Sequence, residues 1–233
     1  MKFIDQLKEK AKQNKKTIVL PETSDMRTIE AAGKVLAEGI ANIILVGDKE
    51  DIMSRAGDID LSGASFVDPK NYEKFDEYVD AFVEMRRKKG MTEARAKELL
   101  LTNPLYFGCM MVKQDDADGM VAGAINASAD VLRAALQTLK TAPGTRIVSA
   151  FFLVVVPDCQ YGANGTFVFA DAGLNQSPSA SELADIAEQS AKSFELLVDE
   201  TPVVAMLSHS TKGSAKHPDV DKVIEATEIV NAE

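Results

Sequence analysis

The stretch Asp118 to Lys140, DGMVAGAINASADVLRAALQTLK, holds the densest group of residues that could do chemistry. A glycine-flanked apolar run breaks into a small polar loop. The loop then opens a helix that carries Asp130 and Arg133 in its first turns. Free backbone N–H groups at a helix start, the Ser128 hydroxyl and the Arg133 guanidinium would together hold an anion. Ser128 fits an N-cap equally well, and the two roles can coexist. A second stretch, Ser210-Thr211-Lys212-Gly213-Ser214, has the composition of a phosphate loop. The Gly-Lys-Ser/Thr order of a Walker A motif is absent, and a plain strand-to-helix loop fits the same residues. Arg86, Arg87, Lys88 and Lys89 read as a charged helix end that meets the helix dipole favourably. Cys159 would need a nearby histidine to act as a nucleophile, and only His209 and His217 exist. No cluster has metal-ligand spacing, so no metal is expected.

The elements that must position these residues alternate between helix and strand. Phe3, Ile4, Leu7 and Ala11 give a helical stripe. Thr17 to Leu20 reads as a buried strand stopped by Pro21. A helix over Met26 to Glu38 is capped by Ser24 or Asp25 and ended by Gly39. A strand over Ala41 to Val46, a short helix and a strand near Ser65 to Val67 follow. Helical regions then cover Tyr72 to Lys89, Thr92 to Leu101 and Leu105 to Lys113. Gly119 to Ala122 is a strand and Ala129 to Lys140 a helix. After a Pro143-Gly144 turn, Ile147 to Val156 and Thr166 to Ala170 pair as strands across a tight Gly162 to Gly165 turn. A helix over Ser181 to Leu197, a strand over Val203 to Leu207 and a helix over Asp219 to Ala232 complete the pattern. This alternation predicts an α/β fold with an open, mostly parallel sheet and helices on both faces. The boundary near Thr141 to Arg146 divides the chain into domains 1–143 and 144–233. The second has few strands for a doubly wound domain, which predicts that it is incomplete.

Bulk properties limit the partners. The 233 residues include 26 Lys plus Arg against 36 Asp plus Glu, a formal charge of −10. That balance argues against nucleic acid or an anionic membrane as partner, so an anionic ligand must be held by a local basic cluster. Hydrophobic residues at 45% and charged residues at 27% are those of a soluble globular protein. No apolar run approaches the length of a membrane span. Cys109 and Cys159 give no disulfide framework and fit a reducing cytoplasm. The basic N-terminal segment also carries Asp5 and Glu9 and lacks a signal-sequence core, so it reads as an ordinary first helix.

Five segments, in this order, carry a specific resemblance across nearly the whole chain. They are TIVLPET at Thr17 to Thr23, MRRKKGMT at Met85 to Thr92 and DGMVAGAINASADVLRAALQTLKT at Asp118 to Thr141. VPDCQYGANGTFVFADAG at Val156 to Gly173 and AMLSHSTKGSAKHP at Ala205 to Pro218 complete the set. The chain resembles phosphate acetyltransferases (phosphotransacetylases), which exchange acetyl between coenzyme A and phosphate. The resemblance implies two doubly wound, three-layer domains like those of isocitrate and isopropylmalate dehydrogenases, a cleft between them and a homodimer. It implies coenzyme A as a substrate, not a permanently bound cofactor, with acetyl phosphate as its co-substrate in acetate metabolism.

Site residues follow from the same resemblance. It places Arg133 in the substrate cleft with Ser128, and Ser210, Thr211 and Lys212 beside it. Arg86, with its neighbour Arg87, faces coenzyme A. The family loop before Arg133 commonly has His and a run of hydroxyls. Here Asn126 and two alanines, Ala127 and Ala129, stand among those positions. The family's catalytic Ser, Arg and Asp belong to a later region with an Asn-Asp-Leu-Ser-Arg-Gly motif, beyond Glu233. The 233 residues contain no such motif, so the chain reads as the first part of the enzyme and as inactive alone. Two alternatives stay open. Phosphate butyryltransferases differ only in acyl chain length, and malic enzymes carry a related regulatory and assembly domain that transfers no acetyl group.

Overall fold

A computed structural model describes residues 3–232. The chain separates into two compact units, one ending at Lys140 and the other starting at Thr141.

The first unit is built on four parallel strands. These are β1 (Lys16–Leu20), β2 (Ala41–Val46), β3 (Ala64–Val67) and β4 (Gly119–Met120), in the order β3-β2-β1-β4. Helices connect them: α1 (Phe3–Gln13) leads in, α2 (Met26–Glu38) joins β1 to β2, and α3 (Lys49–Ala56) joins β2 to β3. Between β3 and β4 lie α4 (Phe75–Arg86), α5 (Glu93–Thr102) and α6 (Pro104–Lys113), and α7 (Ser128–Thr138) follows β4. Successive side chains of a strand face opposite ways, so β1 and β2 feed two cores. Val19, Ile44 and Val46 pack with Phe82, Leu100, Phe107 and Ala134 from the α4–α7 side. Leu20, Ile43 and Leu45 pack with Ile29, Ala32 and Ile52 from the α2–α3 side. The layers are therefore helix, sheet, helix, and every central strand is buried on both faces.

Caps set the ends of the connecting helices. Asp25 accepts a hydrogen bond from the Arg27 N–H at the start of α2, and Gly39 closes it in the left-handed region at φ 68°. Of the two capping residues left open by the sequence, the structure selects Asp25. Strand β4 spans only two residues, shorter than Gly119 to Ala122; the Val121 N–H still reaches β1, and from Gly123 the chain turns to a side chain described below. Helix α7 begins at Ser128 itself, and Ala127 is its N-cap without a side-chain cap. Ser128 is therefore an exposed first-turn residue, not the cap.

The second unit contains β5 (Phe151–Val155) and β6 (Thr166–Ala170), paired antiparallel from Phe151↔Ala170 to Val155↔Thr166. Helix α8 (Ala180–Val198) packs on β6 and on α9 (Pro218–Ala232). Ser179 and Glu182 form a reciprocal capping box at the start of α8. No parallel sheet occurs among the described residues of this unit. The expected strand over Val203 to Leu207 joins no ladder there, and Val203 and Leu207 are 95% and 83% exposed. An extended apolar segment becomes a strand only when a neighbour accepts its backbone groups, and none of the described residues does so. The last helix, read from the sequence as Asp219 to Ala232, spans Pro218–Ala232.

Candidate functional site

One cleft of the first unit gathers basic residues from three places. It encloses about 380 Å³ and is lined by Arg86, Lys89, Arg95 and Arg133, with Tyr106 and Gln137 among the other lining side chains. The local sequence explains the convergence. Helix α4 stops at Arg86, and a 3₁₀ turn over Arg87–Lys89 ends at Gly90. Gly90 adopts φ 76° and returns its N–H to the Arg87 carbonyl, a left-handed position that favours glycine. Thr92 then caps α5 by accepting from the Arg95 N–H at 3.3 Å. On α5, Arg95, Glu98, Leu99 and Thr102 recur at helical spacing and line one side of the cleft. On α7, Arg133 and Gln137 lie one turn apart and line the other.

The electrostatics suit an anion with several charges. Glu98 is the carboxylate of the lining, against four cations. Arg86 Nε is buried and meets no hydrogen-bond partner among the described residues. Among those residues, no ion pair involves Arg86, Lys89 or Arg95. Arg133 is held by Asp130, with Nη1 donating to Oδ1 at 2.6 Å. The Tyr106 hydroxyl donates to Gln137 Oε1 at 3.1 Å. Burial pushes the Tyr106 phenol above its ordinary pKa, although the positive charges of Arg133 and Arg86 pull it the other way. A buried guanidinium edge without a partner is costly unless a ligand completes it.

The loop before α7 does not keep its N–H groups free. Glu22, 2% exposed, inserts its carboxylate into it. Oε2 accepts from the Gly123 and Ala124 N–H groups, both at 2.6 Å. Oε1 accepts from the Ile125 N–H at 3.2 Å, the Asn126 N–H at 2.9 Å and Asn126 Nδ2 at 2.7 Å. Register makes this possible. Val19 pairs with Met120 in parallel, and the Val121 N–H reaches the Val19 carbonyl at 3.0 Å, so Glu22 emerges beside Gly123. Gly123, at φ 110°, supplies the bend. Burial alone would raise the Glu22 pKa. The Asn126 amide and the backbone N–H groups of Asn126, Ala124 and Ile125 outweigh it and hold the group at about 2. The loop N–H groups are thus taken by an internal carboxylate, while the helix start that the sequence offers to an anion, at Ser128, lies just beyond them.

The remaining sequence candidates lie elsewhere. Arg87 pairs with Glu84 on the surface, both side chains being largely exposed. Ser128 is exposed at the first residue of α7 and is not among the residues lining the cleft. Ser210, Thr211 and Lys212 belong to the second unit. There the hydroxyls serve the turn: Ser210 Oγ accepts from the Ala215 N–H at 3.0 Å, and Ser214 Oγ accepts from the Thr211 N–H at 2.9 Å. Lys212 and Gly213 carry the turn at φ 41° and 83°. Among the described residues, Cys159 Sγ reaches only the Tyr161 carbonyl, at 4.0 Å. His209 and His217 pack edge to face at 5.3 Å between ring centroids. Among the described residues, no group of three or more His, Cys, Asp or Glu side chains is placed to hold a metal ion. No described helix is long and apolar enough to cross a membrane.

Sequence reasoning missed Glu22 and the cleft roles of Lys89, Arg95, Tyr106 and Gln137. Arg95 had a signal, since Arg95, Glu98 and Thr102 form a polar stripe on α5. Glu22 had a weaker one: a carboxylate directly after an apolar strand and a proline, where a parallel neighbour must pass.

Comparison with known proteins agrees in kind. The profile of the phosphate acetyl/butaryl transferase family matches residues 2–233. A phosphate acetyltransferase of Acetivibrio thermocellus is 53% identical over 229 residues, spanning 98% of this chain and 69% of the relative. One from Thermoanaerobacterium thermosaccharolyticum is 54% identical, spanning 98% and 70%. Among solved structures, a phosphotransacetylase from Streptococcus pyogenes superposes with a TM-score of 0.89 at 39% identity, covering 99% of this chain and 68% of that one. The EutD phosphotransacetylase from Staphylococcus aureus gives 0.88 at 38%, with 99% and 68% covered. With the family profile matching residues 2–233 and relatives above half identical, the chain belongs to the phosphate acetyl/butaryl transferase family of enzymes.

Proposed function

We propose that the chain takes part in reversible acetyl transfer between acetyl phosphate and coenzyme A, and that the Arg86–Arg133 cleft binds the phosphate groups of coenzyme A. The observation that carries this reading is the convergence of Arg86, Lys89, Arg95 and Arg133 in a chain of net charge −10. Coenzyme A carries several phosphate charges, and guanidinium groups match phosphate in geometry as well as charge. The relatives' names supply the acyl group and the co-substrate.

The reaction needs a thiolate, a held acyl phosphate and donors for the oxyanion at the acetyl carbon. The thiol of coenzyme A, with a pKa near the thiol value of about 8.5, loses its proton to a base. The thiolate sulfur bonds to the acetyl carbon, the C–O bond to phosphate breaks, and phosphate leaves with that electron pair. Positioned donors stabilise the oxyanion between these steps. By family resemblance the base and the Ser–Arg pair belong to the Asn-Asp-Leu-Ser-Arg-Gly region, so the 233 residues supply the binding wall. In the same proposal the enzyme is a cytoplasmic homodimer with dehydrogenase-like domains, and Ser210, Thr211 and Lys212 contact substrate.

Two measurements test it. The 233-residue polypeptide alone is expected to give negligible acetyl-CoA from acetyl phosphate; turnover typical of a complete enzyme contradicts that division of labour. In a chain completed with a relative's C-terminal region, Arg133→Ala is expected to cost about 1.5–3 kcal/mol in kcat/KM, the range of a charge-assisted contact. An unchanged kcat/KM removes Arg133 from the site.

A further inference from the structure

We infer that Glu22 is a positioning residue: its carboxylate acts as a built-in anion that fixes the Gly123–Asn126 loop and, through it, the root of α7 that presents Arg133 to the cleft. The inference rests on the coenzyme A reading of that cleft. Five donors converge on one buried carboxylate, four of them backbone N–H groups from consecutive residues. The last of these, Asn126, immediately precedes the α7 N-cap Ala127. Asp130, in the first turn, in turn holds Arg133 at 2.6 Å. The route from Glu22 to the guanidinium is therefore short and made of hydrogen bonds.

The other side of Glu22 is equally fixed. Thr23 Oγ1 donates to the Val46 carbonyl at 2.6 Å, and Arg55 Nη1 donates to the Thr23 carbonyl at 2.7 Å. Arg27 Nη2 donates to the Ala124 carbonyl at 2.5 Å, a second tie from the β1–α2 connection to the loop. Glu22 and Thr23 together thus link the C-terminal ends of β1, β2 and β4, the edge of a parallel sheet where α/β folds place ligands. Two consequences follow. A phosphate cannot enter the Gly123–Asn126 nest while Glu22 occupies it. Replacing Glu22 by Gln would also turn one of its two acceptor oxygens into an NH2 group facing backbone donors and displace the loop.

The test is a calorimetric double-mutant cycle with coenzyme A as the titrant, on the 233-residue chain. Glu22→Gln is expected to raise the dissociation constant about tenfold or more, the scale of one lost charge-assisted contact. Asn126→Ala, which removes one of five donors and leaves the carboxylate held by four backbone N–H groups, is expected to raise it less, about threefold. In an Arg133→Ala background, Glu22→Gln is expected to add little, because both changes act on the same contact. Parent-like binding by Glu22→Gln or, if that variant does not fold, by Asn126→Ala overturns the inference. So does a full additional loss from Glu22→Gln in the Arg133→Ala background. If Arg133→Ala itself binds like the parent, the cleft assignment fails instead, and the two failures are distinguishable.

Discussion

Glu22 should contribute to the acid stability of the first unit. Its pKa falls from an ordinary 4.5 to about 2 on folding. A carboxylate with a depressed folded pKa stabilises the fold above its unfolded pKa, and that contribution fades as pH falls toward the folded value. The shift corresponds to about 3 kcal/mol, of which about 2 kcal/mol should vanish between pH 5 and pH 3. Urea denaturation at those two pH values should show this loss in the parent and a smaller one in Glu22→Gln. Equal pH sensitivity in both would mean that other carboxylates carry the effect. The same residue shows why the site was only partly legible. Arg86 and Arg133 stand out in sequence as basic residues at a helix end and in a helix start. Glu22 gives only the weaker sign of a carboxylate directly after an apolar strand and a proline, because its role comes mainly from the β1–β4 register.

At the scale of elements, sequence pattern and structure agree wherever local chemistry sets the outcome. Ala41–Val46, Thr166–Ala170 and Met26–Glu38 have the boundaries that their apolar runs, Asp25 and Gly39 dictate. The disagreements fall where a distant partner decides. Strand β4 soon gives way to the loop that holds Glu22, and Val203 to Leu207 finds no neighbour among the described residues. The VPDCQYG segment shows local control again, since it leads into the turn before β6. There Gly165 sits at φ 84°, and a Cβ would lie 2.1 Å from the Val156 carbonyl oxygen. Gly165→Ala should therefore destabilise the β5–β6 hairpin by at least about 2 kcal/mol, read from the urea midpoint. A change below about 0.5 kcal/mol would show that the turn relaxes freely.

At the scale of the whole molecule, the sign of the charge is the main contrast. The chain carries −10 overall, yet one cleft presents Arg86, Lys89, Arg95 and Arg133 with Glu98 as their carboxylate neighbour. A local field of opposite sign favours a small polyanion at this cleft in spite of the overall negative charge. Binding through such a cleft should weaken with added salt, since partly exposed charges are screened over about 8 Å at physiological ionic strength. The most direct measurement is calorimetric titration of the 233-residue chain with coenzyme A, beside the Arg86→Ala/Arg133→Ala double variant, at low and physiological salt. The account predicts saturable binding by the parent, weaker at the higher salt, and at least about a hundredfold loss in the double variant, the scale of two charge-assisted contacts. Equal affinity in parent and variant, or no binding by a folded parent, would contradict it.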